Sequence, residues 1–282
     1  MIVTLSNQIV TAKINSKGAE LNSLLKDDRE YIWQGNPEFW GKHSPLLFPI
    51  VGTLKNDTFI YDNKKFNLSR HGFARDNEFE IEKQTPESVT FLLKSSSRTE
   101  ENYPFQFELR VIYTLEGNNL NVKYQVDNKS ETSLPFSIGG HPAFLLPDDF
   151  ESYKLEFHED TSIKSYFLKN DLLSDDFQNI NLTNNFLELK YSLFEKDALI
   201  LKKLDSKSVT LYENTKPLFL MRFDDFPNFG IWTKINAPFI CLEPWAGYSD
   251  KIESNQNIIE KEGIILLDQM KSFNATFSIL IF

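Results

Sequence analysis

The chain has 282 residues, 41% of them hydrophobic and 25% charged, the balance of a folded chain able to bury a sizeable core. A formal net charge of -10 with no run of Lys and Arg excludes a nucleic-acid partner held through its phosphates, and no stretch approaches the ~20 apolar residues of a membrane-spanning helix. The lone Cys241 excludes an internal disulfide, and MIVTLSNQIVTAK at the start lacks the charged, apolar and small-residue parts of a secretory signal, so a cytoplasmic location is expected.

In chain order, the first clear period of two is Val89, Phe91 and Leu93. It continues in Phe107, Leu109, Val111, Tyr113 and Leu115, and after a Gly117-Asn118-Asn119 turn in Leu120, Val122, Tyr124 and Val126. Alternation with one apolar face predicts antiparallel strands on a core, here joined as a hairpin. The section 168–186, rich in Asn and Asp, reads as a long loop or edge excursion. Alternation returns at Phe273, Ala275, Phe277, Ile279 and Ile281, so strands are expected to the end of the chain. Turn pairs recur at Lys17-Gly18, Asp62-Asn63, Thr85-Pro86, Glu116-Gly117 and Asp205-Ser206, with no helical period over three turns, no repeat and no linker. The expectation is a single all-β domain over 1–282, a large antiparallel β-sandwich.

Four histidines are present. His141 follows Gly139-Gly140 and precedes Pro142, so its backbone is free on one side and fixed on the other. It reads either as a group aimed into a cleft or as a strand-end histidine satisfied locally. His71 has Gly72 after it and Arg75 four residues on; the two side chains either reach one polar ligand from a loop or are structural. His43 and His158 have weaker contexts.

Glu243 ends the apolar run FICL and precedes Pro244 and Trp245. A carboxylate at the end of an apolar strand loses hydration, which raises its pKa toward that of a general base, unless it is simply ion-paired there. Trp245 offers a flat apolar wall. One Cys, no His pair at ligand spacing and no Asp-rich loop give no metal or cofactor signature, and neither phosphate-binding glycine loops nor a GxSxG elbow occurs. A His, a Glu, an Arg and aromatics suit proton transfer on a small polar ring such as a sugar.

Together KGAELNSL, EYIW, FWGKHSPLLFPIVGTL, RHGFAR, SIGGHPAF, FGIWT and CLEPWAGYSD resemble the aldose 1-epimerase (galactose mutarotase-like) family, and most closely its LacX-like branch, over nearly the whole chain. The resemblance implies a β-sandwich of the galactose mutarotase type (a supersandwich), a sugar cleft, and anomer interconversion of a free aldose without cofactor or metal. It also implies Glu243 as general base on O1, His141 as general acid on O5, and His71, Arg75, Asp197 and Trp245 as substrate-binding groups. On this reading HGFAR is one wall of the cleft, with Gly72 and Ala74 leaving room for the ring, and His141 keeps a pKa near its ordinary value.

The resemblance has departures. Gly-His-Pro stands where longer relatives carry Asn-His-Thr, which puts galactose itself in doubt. Thr53 stands where relatives often have Arg, and only Lys42, Lys55 and Arg70 lie near the cleft in sequence, which speaks against a phosphosugar. Asp224 and Asp225 read as a solvated turn rather than cleft residues. A free-aldose epimerase therefore comes first, a hexose-6-phosphate epimerase second, a non-catalytic sugar binder third and a glycoside-cleaving enzyme last. The sequence leaves oligomeric state open.

Overall fold

A computed structural model describes residues 1–282. Two large sheets carry the chain, and every strand pairing in them is antiparallel. One has nine strands, running from Phe186–Glu188 at one edge through Ser272–Ile281, Asn119–Asn128 and Phe107–Glu116 to Glu80–Gln84 at the other. The other has eight and runs from the edge strand Leu172–Asn181 through Leu199–Lys202, Asn228–Trp232 and Phe239–Ala246 to Leu46–Leu47. The only α-helical segment is a single turn, Ser97–Glu100, and no helix is long and apolar enough to cross a membrane.

The predicted hairpin is present, with Phe107–Glu116 paired to Asn119–Asn128 and Glu116 opposite Asn119. Its two-residue turn has positive φ at Gly117 alone, the pattern of a type II′ turn that needs glycine first. Both strands show buried side chains at every second position. Those residues and the inward side chains of the eight-stranded sheet, such as Phe229, Ile231, Ile240 and Leu242, belong to one apolar core of 66 residues drawn from Val3 to Ile281. Gly140 shows how close the sheets approach, since a Cβ there would lie 2.9 Å from the Tyr124 hydroxyl and 3.1 Å from the Phe277 ring.

Of the two readings of 168–186, the long loop is corrected and the edge excursion holds. Ser162–Lys169 and Leu172–Asn181 form a hairpin at the edge of the eight-stranded sheet, turning at Asn170 and Asp171, both with positive φ. Two effects hid it: a register shift between Tyr166 and Leu168 breaks the period of two, and an edge strand facing water carries polar residues on both faces.

Candidate functional site

Phe239–Ala246 is buried along its whole length. The sequence reading placed Glu243 at a strand end; the structure places it inside this central strand, with Pro244 and Trp245 continuing it. On one side the strand pairs with Asn228–Trp232, and on the other with two short strands in succession, Ile138–Gly140 and Ala143–Leu145. Register is the same before and after the break between them, Gly139 facing Trp245 and Ala143 facing Cys241. His141 in the gap therefore falls opposite Glu243, and alternation turns both away from the core that receives Ile240 and Leu242. The Leu242 N–H still reaches the Pro142 carbonyl at 3.1 Å, while Pro142 and Pro244 have no N–H to leave stranded at the break.

The two side chains meet at the floor of a cavity of about 630 Å³, with His141 Nε2 at 3.3 Å from Glu243 Oε2. They are close without the alignment of a hydrogen bond: Oε2 has no hydrogen-bond partner, nor does His141 Nδ1 or Trp245 Nε1, all three buried. Trp40 stacks on the His141 ring at 4.9 Å between centroids, and Trp232 meets its edge at 5.9 Å. The Trp245 indole lies across its neighbours' glycines, so that a Cβ on Gly230 would be 2.5 Å from the six-membered ring and one on Gly139 2.6 Å from Cδ1. Gly230→Ala must displace the cavity's flat wall; a fall in stability of about 1–3 kcal/mol is expected, read by thermal unfolding.

RHGFAR reaches the cavity by an unusual backbone. His71 and Gly72 are consecutive left-handed residues, with φ of 67° and 69°. His71 and Gly52 exchange two bonds, the His71 N–H to the Gly52 carbonyl at 2.8 Å and the Gly52 N–H to His71 Nδ1 at 3.1 Å. The Gly52 N–H and the Arg70 Nε–H at the ring's other nitrogen can both only donate, so a neutral ring accepts one of them; the Gly52 bond is the shorter, which makes Nδ1 the acceptor and puts the ring proton on Nε2. Arg70 Nε, 3.3 Å from Nε2, is then a contact between two donors and not a bond. It leaves Nε2–H available to an oxygen placed in the cavity. Arg75 donates through Nη2 to the Arg70 carbonyl at 2.7 Å, and its buried Nε makes no hydrogen bond, with Asp76 Oδ2 3.9 Å away.

Gly72 and Ala74 do not make room for a ring. A Cβ on Gly72 would lie 2.3 Å from the Phe48 carbonyl oxygen, so glycine is required by a neighbouring strand, and Ala74 is buried in the core. Asp197 does line the cavity, at φ 80° with Oδ1 accepting from the Ala198 N–H at 2.7 Å. Asp224 and Asp225 are exposed in a turn, Asp225 holding the Thr276 N–H. His158 lies elsewhere, 3.0 Å from the Thr210 hydroxyl.

The electrostatics push the floor pair apart. Burial raises the Glu243 carboxyl well above its usual range; Arg70 and the nearby, unaligned Trp245 N–H pull it back, and the Asp197 charge adds to the rise. Burial lowers the His141 pKa to about 3, with the charges of Arg70, Arg75 and Lys42 acting the same way. The expectation of an ordinary histidine is therefore corrected: the aromatic enclosure that fixes the ring also removes its water. His71 is lowered well below its usual value by burial and then by His141 and the same cations. His141, Cys241 and Glu243 bring ligand atoms within 4.8 Å of one another, but burial raises the Cys241 thiol and opposes the thiolate that a metal takes.

Against known protein families, the chain matches aldose 1-epimerase over residues 1–269. It belongs to the aldose 1-epimerase family. Among relatives, it is 42% identical over 276 residues to the protein LacX, chromosomal, of Lactococcus lactis subsp. lactis, covering 92% of each chain. Among solved structures it superposes with a TM-score of 0.94 on a galactose mutarotase related enzyme from Lactobacillus acidophilus, 37% identical over 100% of this chain and 97% of that one. A galactose mutarotase-like protein from Lactobacillus casei gives a TM-score of 0.92 at 28% identity, with all of both chains covered. The all-β sandwich is thus of the galactose mutarotase type.

As a member of this family the chain also shows what its motifs left unread. Trp40 and Trp232 sit in FWGKH and FGIWT, yet only the fold shows them against His141. Of the cations near the cleft in sequence, Lys42 and Arg70 line the cavity; Lys55 turns away, its Nζ on the Ser254 carbonyl at 3.1 Å. Lys234, which had no signal in the sequence, lines it too.

Proposed function

We propose that the chain is an aldose 1-epimerase acting without a cofactor, with Glu243 as the base, His141 as the acid, and His71, Arg75, Asp197 and Trp245 holding a small sugar. The observation that supports this reading is the pair itself, 3.3 Å apart at the floor of the cavity. Ring opening moves one proton from O1 to Glu243, breaks C1–O5, sends that electron pair to O5, and gives O5 a proton from His141. The open aldehyde turns about C1–C2, and closure on its other face reverses each transfer. The pair carries one proton throughout, on His141 before opening and on Glu243 after it. Burial by itself favours the opposite placement, the proton on Glu243 and a neutral imidazole, so opening proceeds from the minor charged form, in which a carboxyl raised by burial is the stronger base and an imidazole lowered by burial the stronger acid.

The test is polarimetry of freshly dissolved α-glucose and α-galactose, with exchange NMR on glucose 6-phosphate, each with and without protein. Faster relaxation for at least one aldose is expected. Equal rates with every sugar, one of which binds, would leave the sugar-binder reading instead.

One observation favours an anionic aldose as the form taken. Lys42, Arg70, Arg75 and Lys234 line the cavity against the acids Asp197 and Glu243, in a protein whose net charge is -10, with Arg70 also paired to Asp171 at 2.9 Å and Lys234 Nζ on the Glu38 carbonyl at 3.0 Å. A phosphorylated hexose is then expected to show the higher kcat/KM, and that advantage is expected to shrink with added salt.

A further inference from the structure

Lys261 lies outside the cavity with its side chain 3% exposed, a position lysine takes only when paired. Its Nζ donates to the Tyr248 carbonyl at 2.6 Å and stands 3.4 Å from Asp250 Oδ1. Asp250 Oδ2 accepts from the Lys55 N–H at 2.9 Å and from the Ser254 hydroxyl at 3.1 Å. The Asp250 N–H reaches the Thr53 carbonyl at 2.8 Å, and the Thr53 N–H reaches Ser249 Oγ at 3.0 Å. Residues 53–55 are thus tied to 249–250 by three bonds. Gly52 is pressed against the same loop, since a Cβ on it would lie 2.1 Å from Ser249 Oγ. Gly52 is in turn the partner of His71 in both of its backbone-linked bonds.

We propose that Lys261 is a positioning residue for the sugar cleft. Through Asp250 and the Tyr248 carbonyl it clamps 248–250 onto 52–55, and so sets the Gly52 N–H that keeps the His71 proton on Nε2, facing the substrate. A buried charge pair suits this task because its geometry is held from two sides and removing one partner leaves the other uncompensated. The pair ties residues 53–55 to the segment 248–261, far off in sequence, and Gly52 and Ser249 beside the join also line the cavity.

The proposal rests on reading His71 as a substrate donor, so the first measurement needs no turnover. In protein labelled with nitrogen-15 in histidine, wild-type His71 is expected to show one acceptor-type and one protonated ring nitrogen. In Lys261→Met/Asp250→Asn, which removes both charges together, the two shifts are expected to move toward each other as the tautomers mix. KM for the aldose found by polarimetry should rise by about tenfold with kcat little changed. Lys251→Met, which removes a half-buried lysine of the same segment that pairs with Asp175 and Glu262, should do neither. Unmoved His71 shifts in the folded double variant, or equal movement in Lys251→Met, would overturn the proposal. Should the double variant not fold, Ser249→Ala cuts the link to Thr53 and leaves the charge pair intact; unmoved His71 shifts there overturn it as well. If no sugar is turned over, the nitrogen shifts still decide, so a failure of the epimerase reading is separable from a failure of this one.

Discussion

Glu243→Gln is expected to slow anomer interconversion by about 10²- to 10⁴-fold and, at neutral pH and above, to raise thermal stability. The amide keeps the shape of the side chain but cannot take the O1 proton. Stability follows from the direction of the pKa. Burial raises the carboxyl above its usual 4.5, so the folded state holds the proton more tightly than the unfolded state does. That contribution is complete below pH 4.5 and is lost as pH rises through the folded value, where the wild type must keep a buried carboxylate. Gln has no such charge to bury. Thermal unfolding should show the variant matching the wild type near pH 4 and exceeding it at pH 8, with each kcal/mol worth roughly 2–4 °C. A wild-type rate in the variant would remove the base assignment; a variant less stable at every pH would show that the site tolerates no amide, so its slow rate would say nothing of the base.

The second large effect is acid sensitivity from the two cavity histidines. His141 is lowered to about 3, and His71 is lowered well below its usual 6.5. A histidine with a depressed folded pKa contributes stability that is complete above the unfolded value of 6.5 and is lost as pH falls toward the folded one. For His141 that loss is on the order of a few kcal/mol. Between pH 4.5 and 6.5 Glu243 works in the opposite sense, but two histidines outweigh one carboxyl, so stability should still climb with pH across that window. Unfolding in urea at pH 4.5, 5.5, 6.5 and 7.5 measures the slope. His141→Asn should flatten it, while an unchanged slope would mean that the imidazole is charged, or hydrated, in the folded protein. The cations around it, Lys42, Arg70 and Arg75, make the charged form costly. A sugar oxygen within reach of the ring would offset part of that cost.

Most of the architecture could be read in the chain because period-two alternation is local. Phe107 to Val126 announced a hairpin, and the structure has it, with Asn119 paired in the strand where the reading had placed it in the turn. The same rule failed at 162–181, where a bulge shifts the register and an edge strand faces water, so alternation no longer tracks burial. The motifs HGFAR, GGHPAF and CLEPW marked segments that the structure brings to one cavity, because Gly and Pro around a histidine and an acid in an apolar run are local peculiarities that ordinary strands do not carry.

The sequence by itself determined the fold class, the family, and which residues bear ionisable groups in unusual local settings. Only the tertiary structure decided what those groups face. His141 stands opposite Glu243 because two short strands keep one register along Phe239–Ala246, a relation between residues about a hundred positions apart that no local pattern records. The same packing that brings Trp40 and Trp232 against the imidazole removes its water, and pKa depends on that desolvation more than on neighbours in sequence. Gly72, read as space for a ligand, is small because the Phe48 carbonyl fills the position of a Cβ. Close approach in three dimensions, and not chain spacing, sets that requirement.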